Sequence, residues 1–132
     1  MNERRTIAEL FPPPGYAHVA AASGKLVVTA GAVPLDGEGR LVGAGNVRAQ
    51  TRQAIANLLV QLAAGGAGPQ DVLKTTVYVV GGKPEDLRAP WEVVRQSKLG
   101  GAASTLLGVA ALGYLGQLVE IEAIAVRRER LA

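Results

Sequence analysis

The sequence predicts an α+β fold, with helices gathered on one face of a mixed sheet, and three observations carry that expectation. Leu118 to Arg127, written LVEIEAIAVR, is apolar at Val119, Ile121, Ala123 and Ala125, the period-2 signature of a strand with one face on a core. Val47 to Ala64 places Val47, Ala54, Leu58 and Leu62 on one stripe, with Arg48, Arg52, Gln53 and Gln61 largely off it, as in an amphipathic helix. The order of elements, β-β-α-β-α-β-β, lacks the strict strand-helix alternation of a doubly wound sheet.

The other face of the last strand sets Glu120 and Glu122 among Leu118, Ile124 and Val126. A face turned to water rarely carries Leu, Ile and Val together, so it is expected to be covered as well, more readily by another subunit than by the helices of so small a chain. A carboxylate at such a seam is either hydrogen-bonded or placed in a solvated cleft, because burying it unpaired costs several kcal/mol or shifts its pKa.

Along the chain, Phe11-Pro-Pro-Pro-Gly15 suits an extended entry, and Tyr16 to Ala22 is a short strand broken at Ser23-Gly24, a hairpin signal. Lys25 to Val33 is a second strand interrupted at Gly31, where the missing side chain suggests a bulge or the close approach of another group. Pro34 to Gly39 is a loop, and Asn46 caps the helix that Gly65-Gly66 ends. Asp71 to Val80 is a strand stopped by Gly81-Gly82. Pro84, Glu85 and Asp86 form a first helical turn, and Pro90 predicts a break followed by a restarted helix from about Ala89 to Lys98. After Gly100-Gly101, Ser104 to Leu112 is a strand, Gly113 to Gln117 a turn, and Leu118 to Arg127 the last strand.

Residues 1–132 fit a single domain large enough to bury roughly two thirds of its unfolded surface. With one Phe, one Trp and three Tyr, its core is aliphatic. There is no cysteine and one histidine, His18, which argues against a transition-metal site and against thiolate chemistry. The net charge of +3 is scattered except at Arg127, Arg128 and Arg130, a pattern of a solvated tail more than of a nucleic-acid patch. The first ten residues are charged and lack an apolar h-region, and no run reaches membrane-spanning length, so a soluble cytoplasmic protein is expected.

Four runs then stand in order: Val28-Thr29-Ala30-Gly31 with Pro34, Ala49-Gln50-Thr51-Arg52-Gln53, Val72 to Val79 (VLKTTVYV), and Val119 to Val126 (VEIEAIAV). Together they resemble the reactive intermediate deaminase (RidA, YjgF) family, over about Tyr16 to Arg127. The resemblance implies a chorismate-mutase-like fold and a homotrimer whose sheets form a central barrel, with ligand clefts between subunits. It also implies cofactor-independent hydrolysis of enamines or imines such as 2-aminoacrylate to 2-keto acids and ammonia. By position in the motifs, Tyr16, Ala30, Gly31, Arg88, Ser104 and Glu120 fall where that family lines its cleft, and Glu120 would orient the attacking water.

One position departs from the family pattern. An Arg that grips the substrate carboxylate is expected just before Ser104, and Ala103 stands there, offering a backbone N–H but no charge. Loss of such a bidentate contact costs about two orders of magnitude or more in substrate capture, which marks an arginine-less branch of the family. Arg88, with Lys74 as the weaker candidate, is the alternative source of a cation for a small carboxylate or carbonyl ligand, though the simpler reading makes Arg88 a solvated helix-entry charge near Glu85 and Asp86. Glu120 has an alternative as an interface carboxylate, Tyr16 as a packing tyrosine, and Ser104 has no evident base partner for nucleophilic work. Three functions stay open: an imine hydrolase or deaminase, a non-catalytic ligand-binding trimer, and an endoribonuclease or translation inhibitor. The last is weakest, since aromatics are 4% of the chain and no second His pairs with His18.

Overall fold

The computed structural model describes residues 2–128, so Arg130 lies outside the described residues. In chain order the elements are β1 (Glu3–Arg5), β2 (Val19–Ala21), β3 (Lys25–Val28), α1 (Val47–Ala64), β4 (Val72–Val80), α2 (Pro84–Gln96), β5 (Ala103–Val109) and β6 (Val119–Arg127), with one 3-10 turn at Pro69–Asp71. Four strands form a mixed sheet in the order β3-β6-β4-β5, and β1 and β2 make a separate two-stranded ribbon. The α+β class expected from the sequence is the one found.

The last strand lies inside the sheet, antiparallel to β3 on one side and to β4 on the other, while β4 and β5 run parallel and are joined through α2. Val119, Ile121, Ala123 and Ala125 are all buried and share one core with Leu58 and Leu62 of α1, Val77 and Val79 of β4 and Val94 of α2. Both helices therefore cover the same sheet face. Register pairing puts Thr75, Ser104 and Ala123 on that face, and Lys74, Ala103, Thr76, Thr105, Glu122, Tyr78 and Glu120 on the opposite, open one.

Among the described residues no helix covers the open face. Leu26 and Val28 are 61% and 65% exposed and stand opposite Val126 and Ile124 in register. The seam expected between two covered faces is thus apolar and open in the single protomer.

The first helix follows its sequence signals. The Asn46 Oδ1 accepts the Ala49 N–H at 3.0 Å, and Gly65 and Gly66 end the helix, Gly66 at a φ of 82° that favours glycine. Its buried side also holds a polar residue. Gln50 is fully buried; its Nε2 donates to the carbonyls of Gly43 and Gly116, each at 3.1 Å, and its Oε1 accepts the Leu118 N–H at 2.8 Å.

Two expectations are corrected, and one strand, β1, is unexpected. Ser23-Gly24 is not a hairpin turn, because β2 pairs with β1 and β3 pairs with β6, so the chain changes sheets there. The strand β1 has no apolar alternation; it is held by the Arg4 guanidinium, which donates to the Val72 carbonyl at 3.0 Å, and by Asn2 Nδ2, which donates to the Gln70 and Val72 carbonyls. Finally, α2 runs unbroken through Pro90. The lost bond to the Asp86 carbonyl is offset by Leu87, Trp91 and Val94 packing on the core and by the Trp91 Nε1, which donates to the Pro14 carbonyl at 2.7 Å.

Gln50→Leu removes three hydrogen bonds and leaves the Gly116 carbonyl and the Leu118 N–H without a partner among the described residues, while the Gly43 carbonyl keeps the Asn46 N–H at 2.9 Å. It is expected to lower stability by about 3 kcal/mol in urea denaturation at fixed protein concentration, a larger loss than that of an exposed glutamine on the same helix such as Gln53→Leu.

Candidate functional site

Regular pairing of β3 with β6 stops after Val28. The Thr29 N–H donates to the Ala123 carbonyl at 3.1 Å and the Ala32 N–H to the Ile121 carbonyl at 2.7 Å, so Ala30 and Gly31 together stand opposite the single residue Glu122. This is a β-bulge, and it leaves the Gly31 N–H and carbonyl without a partner among the described residues. Its neighbours pin it, since Gln61 Nε2 donates to the Ala30 carbonyl at 3.2 Å and Asn57 Nδ2 to the Val33 and Leu35 carbonyls at 2.7 and 2.9 Å.

Glu120 lies across this bulge. A Cβ built on Gly31 would overlap the Glu120 Oε2 and come within 2.6 Å of its Cδ and 2.7 Å of its Cγ, so only glycine leaves room for the carboxylate there. Both expectations for Gly31, a bulge and a close approach, are met at once. The other carboxylate oxygen, Oε1, accepts from Gln117 Nε2 at 3.1 Å; the same amide donates to the Val119 carbonyl at 3.0 Å, and the Gln117 Oε1 accepts the Tyr114 N–H at 3.1 Å. Gln117 is buried and Glu120 half-buried, so the carboxylate is oriented on one oxygen and open on the other.

Tyr78 stands opposite Glu120 in register. Partial burial, then the negative charges of Glu122 and Glu120, push its phenol above the ordinary value. Among the described residues no group of three or more His, Asp or Glu side chains converges in a way that could hold a metal.

Of the remaining residues anticipated for the site, Ala103, Ser104 and Tyr16 gather on the two faces at the start of β5, and Arg88 lies apart on α2. Ala103 is on the open face, directly across from Lys74, whose Nζ donates to the Thr105 Oγ1 at 2.6 Å. Ser104 faces the helices instead; its Oγ accepts from Thr75 Oγ1 at 2.8 Å, and it lines a small cavity of about 220 Å³ with Tyr16, Trp91 and Leu106. Tyr16 meets Trp91 edge to face at 6.0 Å between ring centres. Arg88 is exposed on α2, on the helical side of the sheet, with no ion pair among the described residues. His18 is a structural residue: Nδ1 accepts the Ile7 N–H at 2.9 Å and Nε2 lies 3.1 Å from the Phe11 carbonyl, an arrangement that suits a neutral ring protonated on Nε2.

Within one protomer the two clusters are separate. Glu120 and Ala103 are two strands apart and offset by four residues, which places their Cα atoms about 16 Å from each other, beyond the span of one small ligand. The residues sequence reasoning missed are Gln50 and Gln117, which fix the start of β6 and the Glu120 carboxylate. Gln50 was signalled only as one member of the Ala49–Gln53 run, and Gln117 only by its place just before the final strand.

Comparison with known proteins follows the same outline. Residues 6–127 match the family model described as Endoribonuclease L-PSP. Over 73 residues the chain is 37% identical to a RutC family protein of Synechocystis, a match that spans 54% of this chain and 56% of that protein's length. It is similar to the conserved Rid-family protein YyfB of Yersinia pestis, whose function is unknown, at 33% identity and a TM-score of 0.85 over 96% of this chain and 98% of that one. It is also similar to TdcF of E. coli, solved with bound serine, at 26% identity and a TM-score of 0.67 over 94% of both chains.

Two outcomes follow from this geometry. Gly31→Ala should destabilise the protein by about 2 kcal/mol, and Glu120→Ala in the same chain should recover most of that loss, giving a coupling of about 1 kcal/mol or more in a double-mutant cycle read by urea denaturation. In a spectrophotometric titration of the phenols, with Tyr16 and Tyr114 replaced by Phe, Tyr78 should ionise above pH 10, and Glu122→Gln should move its midpoint down toward 10. Because the folded-state value is raised, the stability linked to Tyr78 is fully present below pH 10 and lost as pH rises through its folded-state midpoint.

Proposed function

The chain belongs to the endoribonuclease L-PSP family, the YjgF/RidA proteins, and from that premise we propose that it is a homotrimer that binds a small metabolite in clefts between subunits and hydrolyses an enamine, imine or related carbonyl compound there without a cofactor. The observation that carries this reading is Glu120, half-buried against Gly31, with one oxygen fixed by Gln117 and the other free beside the unpaired peptide groups of a bulge. A carboxylate so placed accepts a proton from a water and aims that water at an electrophilic carbon. Addition of the water to a C=N bond and expulsion of the nitrogen give a carbonyl compound and ammonia, and the Gly31 peptide is positioned to hold the reacting nitrogen or oxygen.

Two features support assembly. The open sheet face presents Leu26, Val28, Ile124 and Val126, and the separation of the Glu120 and Ala103 clusters means that one small ligand meets both only if they come from neighbouring copies. We place Tyr16, Ala30, Gly31 and Ala103 in the lining of the cleft; Ser104 joins it through its backbone, since its side chain is engaged on the helical face. The serine bound by TdcF is a ligand of the size such a cleft would take. No helix among the described residues is long and apolar enough to cross a membrane; the location we propose is cytoplasmic.

Ala103 favours a second reading. With no guanidinium beside Ser104, 2-imino acids would be captured roughly two orders of magnitude more weakly, which fits a trimer that binds ligands without turning them over. Endoribonuclease activity has the least support, because His18 is committed to the Ile7 and Phe11 backbone.

The readings separate by ammonia and keto-acid release from 2-aminoacrylate generated by a dehydratase, and from neutral imines. Hydrolysis of a neutral imine by the wild type, abolished by Glu120→Gln, is the expected result. Ala103→Arg should raise turnover of 2-aminoacrylate by about a hundredfold. Binding without any release by either protein would leave the non-catalytic trimer.

A further inference from the structure

We propose that Lys74 and Thr105 form a carboxylate-binding pair on the open sheet face and supply the charge that Ala103 does not. This rests on the reading of that face as a ligand cleft. Lys74 is directly opposite Ala103 on the neighbouring strand, so its ammonium rises from the same face and the same level of the sheet. The Nζ is drawn toward β5 by its 2.6 Å bond to Thr105 Oγ1, which fixes a long and otherwise mobile side chain in one direction.

The contact uses only one of the three Nζ protons, and Thr105 takes part in it as acceptor. Its own hydroxyl proton therefore remains available, polarised by the cation beside it. Two further N–H donors and one O–H donor are then left for a ligand on the open face beside Ala103, whose methyl takes up little room. Glu122 is one register pair away on the same face, yet Lys74 makes no ion pair with it or with any other carboxylate among the described residues. If a second copy covers the face, an ammonium without an anion would be left desolvated, at high cost. A ligand carboxylate is the partner the donors fit. With Glu122 one register pair away, a two-oxygen monoanion is accepted more readily than a dianionic phosphate.

Arg88 is a poorer source of that charge, since it projects from α2 on the helical side. The pair differs in kind from a guanidinium, offering a point charge and a hydroxyl in place of a planar fork. It would hold a carboxylate with less angular discrimination.

The experiment uses the full-length protein with pyruvate and its uncharged methyl ester as probes, with binding followed by calorimetry and by amide chemical shifts. Pyruvate should perturb the amides of Lys74, Thr105 and Gly31 and bind the wild type at least about tenfold more tightly than methyl pyruvate does. Lys74→Met should remove that preference, Thr105→Val should reduce it, and Lys74→Arg should retain it. Sedimentation velocity of each variant shows whether assembly is kept. Equal binding of pyruvate by wild type and Lys74→Met overturns the proposal. So does loss of assembly on Lys74→Met with no effect of Thr105→Val on pyruvate affinity, which would give Lys74 a partner carboxylate in a second copy instead. If methyl pyruvate perturbs Gly31 while pyruvate shows no preference, the cleft stands and the Lys74 assignment falls. If neither probe at about 10 mM perturbs Gly31 or Lys74, both fall.

Discussion

Between Thr29 and Ala32 the chain uses two residues where the facing strand uses one, and the position of Glu120 depends on that mismatch. A regular pairing would set position 31 opposite Ile121 on the helix-covered face; with the bulge, a Cβ there would fall in the volume that the carboxylate occupies. The bulge and the glycine act together: one turns two peptide units out of the ladder, the other clears the space above them. A half-buried acid beside unpaired backbone groups is costly to hold, which is why the proposed ligand cleft is placed at this corner of the sheet.

The long helix does more than fill the core. Its apolar stripe packs on Val119, Ile121, Ala123 and Ala125, while Gln50, Asn57 and Gln61 reach from it to the loops on either side of the bulge. Gln50 holds the Leu118 N–H, Gln117 next to it holds Glu120, and the carboxylate is thereby tied to a rigid element two steps away. Such a chain of satisfied amides in a low-dielectric interior orients a group more firmly than packing alone.

What could be read from the sequence was what local rules decide. Asn46, Gly65 and the stripe between them fixed the helix to its observed ends, and strict alternation fixed the inner face of β6. What could not be read was set by long-range hydrogen bonds. The Glu3–Arg5 strand exists because Arg4 finds the carbonyl of Val72, sixty-eight residues away. The partner of β2 is chosen by that same contact, and Pro90 stays helical because Trp91 and Val94 are anchored on either side of the cost. In the site, Gly31 was legible as a position that needs no side chain. The face on which Ser104 lies was not, because a single shift of register exchanges the two faces of a strand.

The exposed aliphatic row on β3 bears on the life of a newly made chain. Lys25–Val28 is an edge strand with free backbone groups along one side and two large bare side chains, a combination that invites promiscuous sticking before any proper mate arrives. If this edge is the seam of the proposed assembly, the yield of usable protein should depend on how fast copies meet, with scarce expression or strong dilution favouring precipitates and chaperone capture.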